Sequence, residues 1–482
     1  MQPEEQLINQ RLEKLSWLRQ NGVEPFAYRF EQKHHISDIT NKKAKKTISI
    51  AGRVVSLRKM GKASFGDLED ATGRIQFYIK EDIIGKKAYE IFRKIDLGDI
   101  IGLEGGIFKT KTKELSVKVK KLTLLTKSLR PLPEKWHGLQ DPELRYRQRY
   151  LDLIANKDVR EIFIKRTKII SLVREFLNSK GFLEVEIPTL QTVYGGAEAR
   201  PFKTHLNALD MNLFLSISPE LHLKRLLVGQ FEGVYTICKN FRNEGVDRTH
   251  NPEFTMMECY WAYKDYNDMM KLTEELVVYI VKIIHKKTKI KYQNQTIDFK
   301  LPWKRMTMFE ALKNLAKIDV EKMTDDQLSH EVAKLPVTKK KETRDEMINA
   351  LFEELVGPKL IQPTFIKDYP LGVCPLTKLH RKDKRLVERF EGFINGVEIA
   401  NAYSELNDPI DQMKRLQEQE EKRKHGDEEA EPMDEDFIRA LQYGMPPTGG
   451  LGIGIDRLVM FLTNAPSIKD VILFPLLKPK SD

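Results

Sequence analysis

Leu7, Ile8, Leu12, Leu15 and Leu18 recur at helical spacing through "EEQLINQRLEKLSWLRQNG", and the pattern stops at Gly22 with Pro25 close behind. A helix with a defined end opens the chain. Residues 33–46 are polar and basic without periodicity, which predicts a linker. From Thr47 to Leu125 the pattern changes to short alternating runs parted by turn residues, such as "TISIAGRVVSLRKMG", "KASFGDLEDATG" and "RIQFYIK". Five such runs suit a small closed β-barrel of the OB type. Pro131 and Pro133 mark its exit, and residues 131–158 read as a polar connector with aromatic anchors.

Residues 159–179 predict an amphipathic helix with Ile162, Phe163, Ile169, Ile170, Val173, Phe176 and Leu177 on its apolar side. "GFLEVEIPTL" then reads as a short strand ended by Pro188, and residues 213–260 alternate helix and strand patterns. "YNDMMKLTEELVVYIVKIIHKK" is a further helix, and the helical patterns within about residues 307–372 read as an insertion. The stretch 411–436 holds 11 acidic residues against 5 Lys and Arg, which predicts an exposed helix and loop. No internal repeat is present. The fold expected is α+β: an N-terminal helix and linker (1–46), a barrel (47–130), a connector (131–158) and a larger domain (159–482).

With 41% hydrophobic and 31% charged residues, the 482-residue chain can bury cores, which excludes disordered, collagen-like and mucin-like classes. No apolar run approaches the roughly 18 residues of a membrane span, and "MQPEEQLINQ" lacks a signal-peptide pattern, so a cytoplasmic protein without a membrane partner is expected. Cys238, Cys259 and Cys374 lie far apart, which argues for reduced thiols in packing roles. The net charge of +11 is confined to the first quarter: residues 1–130 hold 27 Lys and Arg against 16 Asp and Glu, while the remainder is balanced at 54 each. A basic module suits a polyanionic partner. A solvated lysine-rich surface would carry the same charge.

Three segments carry candidate chemistry. In "VYTICKNFRNEGVDRTHNPEFTMMECYW" two strand-like runs flank a polar loop, so a long hairpin is expected. Period-2 geometry puts Arg242 and Glu244 on one face of the first strand, and Phe254, Met256, Glu258 and Tyr260 on one face of the second. An Arg fork can hold phosphate or carboxylate, and an aromatic can stack a base. An ion pair on a half-solvated sheet is the plainer account. In "VERFEGFINGVEIANAYSELNDP", Asn395-Gly396 is a hairpin turn that places Phe393 opposite Glu398 and puts Glu391 on the face of Glu398. Two such carboxylates can share divalent ions, or both can simply face solvent. Strict alternation puts Asn401, Tyr403 and Glu405 on the other face, and a β-bulge near Ile399–Ala400 would reunite them. In "PPTGGLGIGIDRLVMFLTN", Gly450, Gly452 and Gly454 bare one face of an apolar strand to a flat ligand, and Arg457 sits in the first turn of a helix, where the dipole disfavours it unless an anion holds it. Neither a dinucleotide fingerprint nor a P-loop fits this spacing.

In this order, after an OB-like domain, the three segments resemble a class II lysyl-tRNA synthetase of the bacterial type. The resemblance covers nearly the whole chain. "FRNEGVDRTHNPEFTMME" is similar to the second signature motif of the class and "GIGIDRL" to the third. "GGAEARPF", "SPELHLKRLLVG" and "NAYSELNDP" are the lysine-specific wording. The helix and strand ending at Pro188 resemble the first motif, which implies a homodimer interface.

The resemblance implies a six-stranded antiparallel catalytic sheet, ATP and lysine as substrates with Mg²⁺, and transfer of lysine to tRNA(Lys). It implies that Arg242 bridges the ATP α-phosphate and the lysine carboxylate, that Glu244 reads the adenine amino group, and that Phe254 and Arg457 sandwich the adenine. His250 and Asn251 would lie near the phosphates, and Glu391 and Glu398 would hold the metal. Gly196 and Glu220 would receive the α-amino group, Glu405 with Tyr260 the ε-ammonium, and Glu258, Asn401 and Tyr403 would complete the pocket. In the barrel, Phe65 resembles the anticodon-stacking aromatic, and Arg58, Gln76 and Glu114 match base-contacting positions. Ser216, Thr236, Leu206, Gln230 and Cys238 depart from the usual family residues, and none is an assigned position. Aspartyl- and asparaginyl-tRNA synthetases share the architecture, but Glu258 and Glu405 would serve their substrates poorly. A relative that lysylates a protein lacks the barrel, and a non-catalytic RNA-binding paralogue would have lost Arg242, Glu391, Glu398 and Arg457.

Overall fold

The computed structural model describes residues 3–39, 47–133, 139–336 and 342–479, which form two compact units, 1–139 and 140–482. Part of the predicted basic linker, residues 40–46, lies outside the described residues. In the first unit helix α1 (Pro3–Gln20) ends before Gly22, whose φ of 69° continues the chain out of the helix. It is bound to the barrel by Arg11, which donates to the Leu97 and Arg130 carbonyls at 3.0 and 2.8 Å. Five strands, β1 (Thr47–Met60), β2 (Ala63–Glu69), β3 (Arg74–Lys80), β4 (Ile100–Lys109) and β5 (Leu115–Thr126), close in the order β1-β2-β3-β5-β4. Ile48, Ile50, Leu68, Phe77, Ile101, Leu103 and Val117 fill the interior. The barrel read from alternation is therefore present and closed.

The second unit is built on an eight-stranded sheet. Its strands are β6 (Leu183–Glu184), β7 (Gly233–Phe241), β8 (Glu253–Ala262), β9 (Lys304–Thr307), β10 (Thr364–Pro370), β11 (Leu386–Ile394), β12 (Val397–Ser404) and β13 (Thr448–Gly454), in the order β9-β10-β11-β12-β13-β8-β7-β6. The central six pair antiparallel, as the family resemblance implies. The two edge strands, β9 and β6, pair in parallel and bring the total to eight. Helices α2 (Lys157–Ser179), α4 (Tyr266–His285) and α8 (Ile455–Thr463) cover one face, burying Leu172, Val173, Leu276, Val277, Leu458 and Val459 against Tyr235, Met257, Phe390 and Leu451. Helix α3 (Glu220–Val228) follows the 211–218 segment, and α5 (Arg344–Leu355) lies in the helical insertion between β9 and β10.

Helices α6 (Pro409–Lys424) and α7 (Glu435–Gln442) correct the reading of 411–436 as exposed. Gln412, Arg415, Leu416 and Gln419 form a buried stripe, and Arg415 donates to the Thr377 carbonyl at 2.7 Å. Ala430 and Glu431 are buried as well. Among the described residues no helix is long and apolar enough to cross a membrane.

Candidate active site

The sheet face turned away from α2, α4 and α8 carries the candidate chemistry. Along β8, Met257 and Cys259 enter the helix-side core, which leaves Phe254, Met256, Glu258 and Tyr260 on the other face as alternation requires. Leu451 and Ile453 of β13 also face the helices, so Gly450, Gly452 and Gly454 lie beside Tyr260, Glu258 and Met256, their register partners. The bare glycine face expected for a ligand is bare only in part. A Cβ on Gly450 would collide with Glu405 Oε1 and come within 2.6 Å of Tyr260, so this glycine is required by the pocket wall itself.

At the turn of the 386–404 hairpin, Asn395 and Gly396 both have positive φ (50° and 73°), the conformation a two-residue type I′ turn demands. Phe393 pairs with Glu398, but Gly392 pairs with Ala400, so one residue of β12 is in excess. Ile399 and Ala400 are both buried on the helix side. The expected bulge is thus present, and it puts Asn401 opposite Glu391 and Tyr403 opposite Arg389.

These strands floor a cavity of about 710 Å³ whose walls include Gly196, Glu220, Arg242, Glu258, Tyr260, Glu391, Glu398, Asn401 and Tyr403. Eleven carboxylates face it against three Lys and Arg. Glu258 accepts from Ser218 Oγ at 3.0 Å and from Tyr260 Oη at 3.1 Å. Burial, reinforced by Glu220, pushes its carboxyl up to about 8 despite those bonds. Gly196 (φ 84°) has no room for a side chain, since a Cβ would meet Glu220 Cβ at 2.8 Å and Ser218 Oγ at 2.9 Å.

Glu405 is placed differently from the expectation. It is buried behind Gly450 and its carboxylate is paired with Lys224, whose ammonium also donates to Glu220 at 2.6 Å. Tyr403 Oη donates to the other Glu220 oxygen at 2.6 Å. Burial alone would lower the Lys224 ammonium, but Glu220 and Glu405 outweigh it and hold it above its ordinary value. Lys224 therefore serves Glu220 and Glu405, while Glu258 has no ion pair among the described residues and feels only the more distant positive charge of Arg242, which leaves the three buried carboxylates short of positive charge.

Glu391 accepts from Arg389 at 2.6 Å, and Arg457 donates to Glu398 Oε2 at 3.1 Å and to the Glu398 carbonyl at 2.8 Å. Glu398 is thus the anion that holds an arginine at the start of α8. Burial, only partly offset by Arg389 and reinforced by Glu398, pushes Glu391 up to about 7. Two hard carboxylates on one face suit Mg²⁺. No cluster of three or more metal-ligating side chains occurs among the described residues.

The remaining expected residues cluster at the end of β7 and β8. The first strand stops at Phe241, so Arg242 and Glu244 lie in the loop rather than on the strand. The Arg242 guanidinium stacks 5.2 Å from the Phe254 ring, and burial lowers it from its ordinary value. Glu244 is exposed. His250 accepts from Arg457 at 3.0 Å while its other ring nitrogen meets Asp247 at 2.8 Å. Asn251 donates to the Glu253 carbonyl at 2.6 Å and lines a separate cleft with Phe241, Phe474 and Leu476. On the barrel, Arg58 pairs in register with Phe65 and Phe65 with Tyr78, whose ring lies 4.9 Å away. Phe108 extends the row, 6.0 Å from Tyr78. Gln76 donates to Glu114 at 2.8 Å and accepts from Ser116 at 2.8 Å.

Lys224, Arg389, Glu431, Tyr78 and Phe108 were missed in the sequence. Only Tyr78 and Phe108 carried a signal, an aromatic on the outward phase of an alternating strand.

A sheet whose central six strands pair antiparallel, with an acidic cavity on its open face, in a chain that also carries an OB barrel, defines a class of enzyme. Residues 141–478 match the tRNA synthetases class II (D, K and N), and residues 48–125 match the OB-fold nucleic acid binding domain. The chain belongs to the class II tRNA synthetases. Among its relatives, the Lysine--tRNA ligase of Thermoanaerobacter pseudethanolicus is 54% identical over 483 residues, covering 99% of this chain and 97% of the other. The Lysine--tRNA ligase of Pelotomaculum thermopropionicum is 54% identical (98% and 95% covered), and that of Moorella thermoacetica 51% identical with both chains fully covered.

Proposed function

We propose that this protein is a cytoplasmic, homodimeric lysine-tRNA ligase that activates L-lysine with ATP and transfers it to the 3′ end of tRNA(Lys). The observation that carries the choice of amino acid is the excess of carboxylate over cation in the cavity wall, with Glu220, Glu258 and Glu431 among the buried members, which a cationic substrate neutralises and an acidic or amide one does not. Full-length similarity to Lysine--tRNA ligases supports it.

The reaction asks little of a protein base. The lysine carboxylate attacks the ATP α-phosphorus in line and pyrophosphate leaves, so the site's task is to hold two anions together and offset charge. Arg242, at the cavity wall, is the fork that spans both anions. Phe254 and Arg457 flank the base, with Glu244 and His250 at its edge and the phosphates and Asn251 bracing the loop. Glu391 and Glu398 would hold Mg²⁺, which when bound supplies charge neutralisation at the phosphates. Gly196 and Glu220 receive the α-amino group. Glu258, Tyr260 and Glu405 set the negative potential met by the side-chain ammonium, while Asn401 and Tyr403 close the wall. A 3′-hydroxyl of tRNA then takes the lysyl group from the adenylate. Phe65, Arg58, Gln76 and Glu114 contact anticodon bases, for which the exposed edge of the Phe65–Tyr78–Phe108 row offers stacking surface. Exposed Leu190, Phe474 and Leu476 give a second copy of this chain apolar surface to cover. Charging of tRNA(Lys) with lysine by the purified protein tests the reading, and absence of lysyl-tRNA with ATP and Mg²⁺ present would refute it.

A further inference from the structure

Glu431, which no motif of the sequence singled out, lines the cavity from the loop between α6 and α7 together with Asp427 and Glu429. It is 2% exposed, and its Oε2 is a buried acceptor with no hydrogen-bond partner among the described residues. The Gly196 amide donates to the same carboxylate, so the unmatched oxygen sits beside the positive-φ glycine of "GGAEARPF". A buried, unsatisfied carboxylate oxygen is costly by itself, and is tolerated where a ligand brings the missing donor.

We infer that Glu431 is a specificity residue of the amino-acid pocket whose free oxygen receives the α-ammonium of the substrate. The inference rests on the lysine reading above and adds to it an acceptor. Glu220, the other acceptor at this end, already takes one bond on each oxygen, from Lys224 and from Tyr403. An ammonium brings three N–H donors, enough for Glu431 and Glu220 together. Burial, reinforced by Glu220 and Glu198 and opposed by Lys224, pushes the Glu431 carboxyl up to about 8.

The test compares wild type with Glu431→Gln and Glu431→Met in lysine-dependent pyrophosphate exchange, with 6-aminohexanoate as competitive inhibitor. That probe keeps the carboxylate and terminal ammonium of lysine and lacks the α-ammonium. Both variants are expected to raise the lysine KM about ten- to hundredfold, as loss of a charge-assisted bond does, while the ATP KM and the 6-aminohexanoate Ki stay within about twofold of wild type. An unchanged lysine KM, or a 6-aminohexanoate Ki that rises in step, overturns the inference. Wild type tests the underlying reading separately: failure to exchange with lysine removes both, whereas exchange by wild type with unaffected variants removes only the role of Glu431. Unfolding midpoints within about 2 °C of wild type keep the comparison free of a folding effect, since neither change alters side-chain volume much.

Discussion

Asn401 lies directly across the hairpin from Glu391, although the turn at Asn395-Gly396 alone would have put Ala400 there and turned Asn401 to the opposite face. The extra residue at Ile399 makes the difference, and through it Glu391, Glu398, Asn401 and Tyr403 share one face.

If Glu391 and Glu398, which line one face of the cavity, hold Mg²⁺ as proposed, Glu391→Gln and Glu398→Gln should each raise the Mg²⁺ concentration for half-maximal exchange by about tenfold, the loss that follows removal of one carboxylate ligand. Titration of Mg²⁺ at saturating lysine measures it. An unchanged Mg²⁺ requirement would remove the metal assignment.

Among the described residues Lys224 is the only Lys or Arg paired with both Glu220 and Glu405, and replacing it by Met should destabilise the protein by about 3–5 kcal/mol, the cost of stranding a buried charge. The sign with pH follows. Burial holds the Glu405 carboxyl well above its unfolded value and Lys224 opposes that shift, so the Met variant, which lacks the opposing charge, keeps most of its stability at pH 5 and loses it as pH rises. A deficit that shrinks between pH 5 and pH 9 in thermal unfolding would contradict the pairing.

Glu258 is pushed up to about 8 from a reference of 4.5. Its contribution to stability is intact below about 4.5 and declines as pH rises toward 8. Glu258→Gln should therefore match wild type at pH 5 and exceed it at pH 9 by about 1 kcal/mol or more, while binding lysine far more weakly. Denaturant unfolding of the ligand-free proteins checks the first part and equilibrium binding the second.

Stacking on an aromatic platform is worth about 1–3 kcal/mol per base. Phe65→Ala should accordingly raise the tRNA KM in charging between about fivefold and a hundredfold and leave lysine-dependent pyrophosphate exchange unchanged. Loss of exchange as well would show that the half-buried ring supports the fold.

The barrel, the glycine strand and the hairpin with its bulge were legible because each depends on local pattern: alternation, Asn-Gly, and a glycine every second residue. Two edge strands of two and four residues were too short to show a period. Lys224 was hidden because, within "SPELHLKRLLVG", it reads as the polar side of a helix, and only Glu405, brought in from the far end of β12, explains its burial. Glu431 was hidden by its surroundings. A run of acids reads as solvated until the fold wraps it over a cavity that needs negative charge.

The central claim is that this cavity selects a cation. It is tested most directly by measuring ATP–pyrophosphate exchange by the full-length protein with each of the twenty amino acids. The expected result is exchange with lysine at least about a hundredfold above aspartate and asparagine, in line with the cost of leaving a buried carboxylate unpaired. Exchange driven by aspartate or asparagine, with lysine inert, would contradict it.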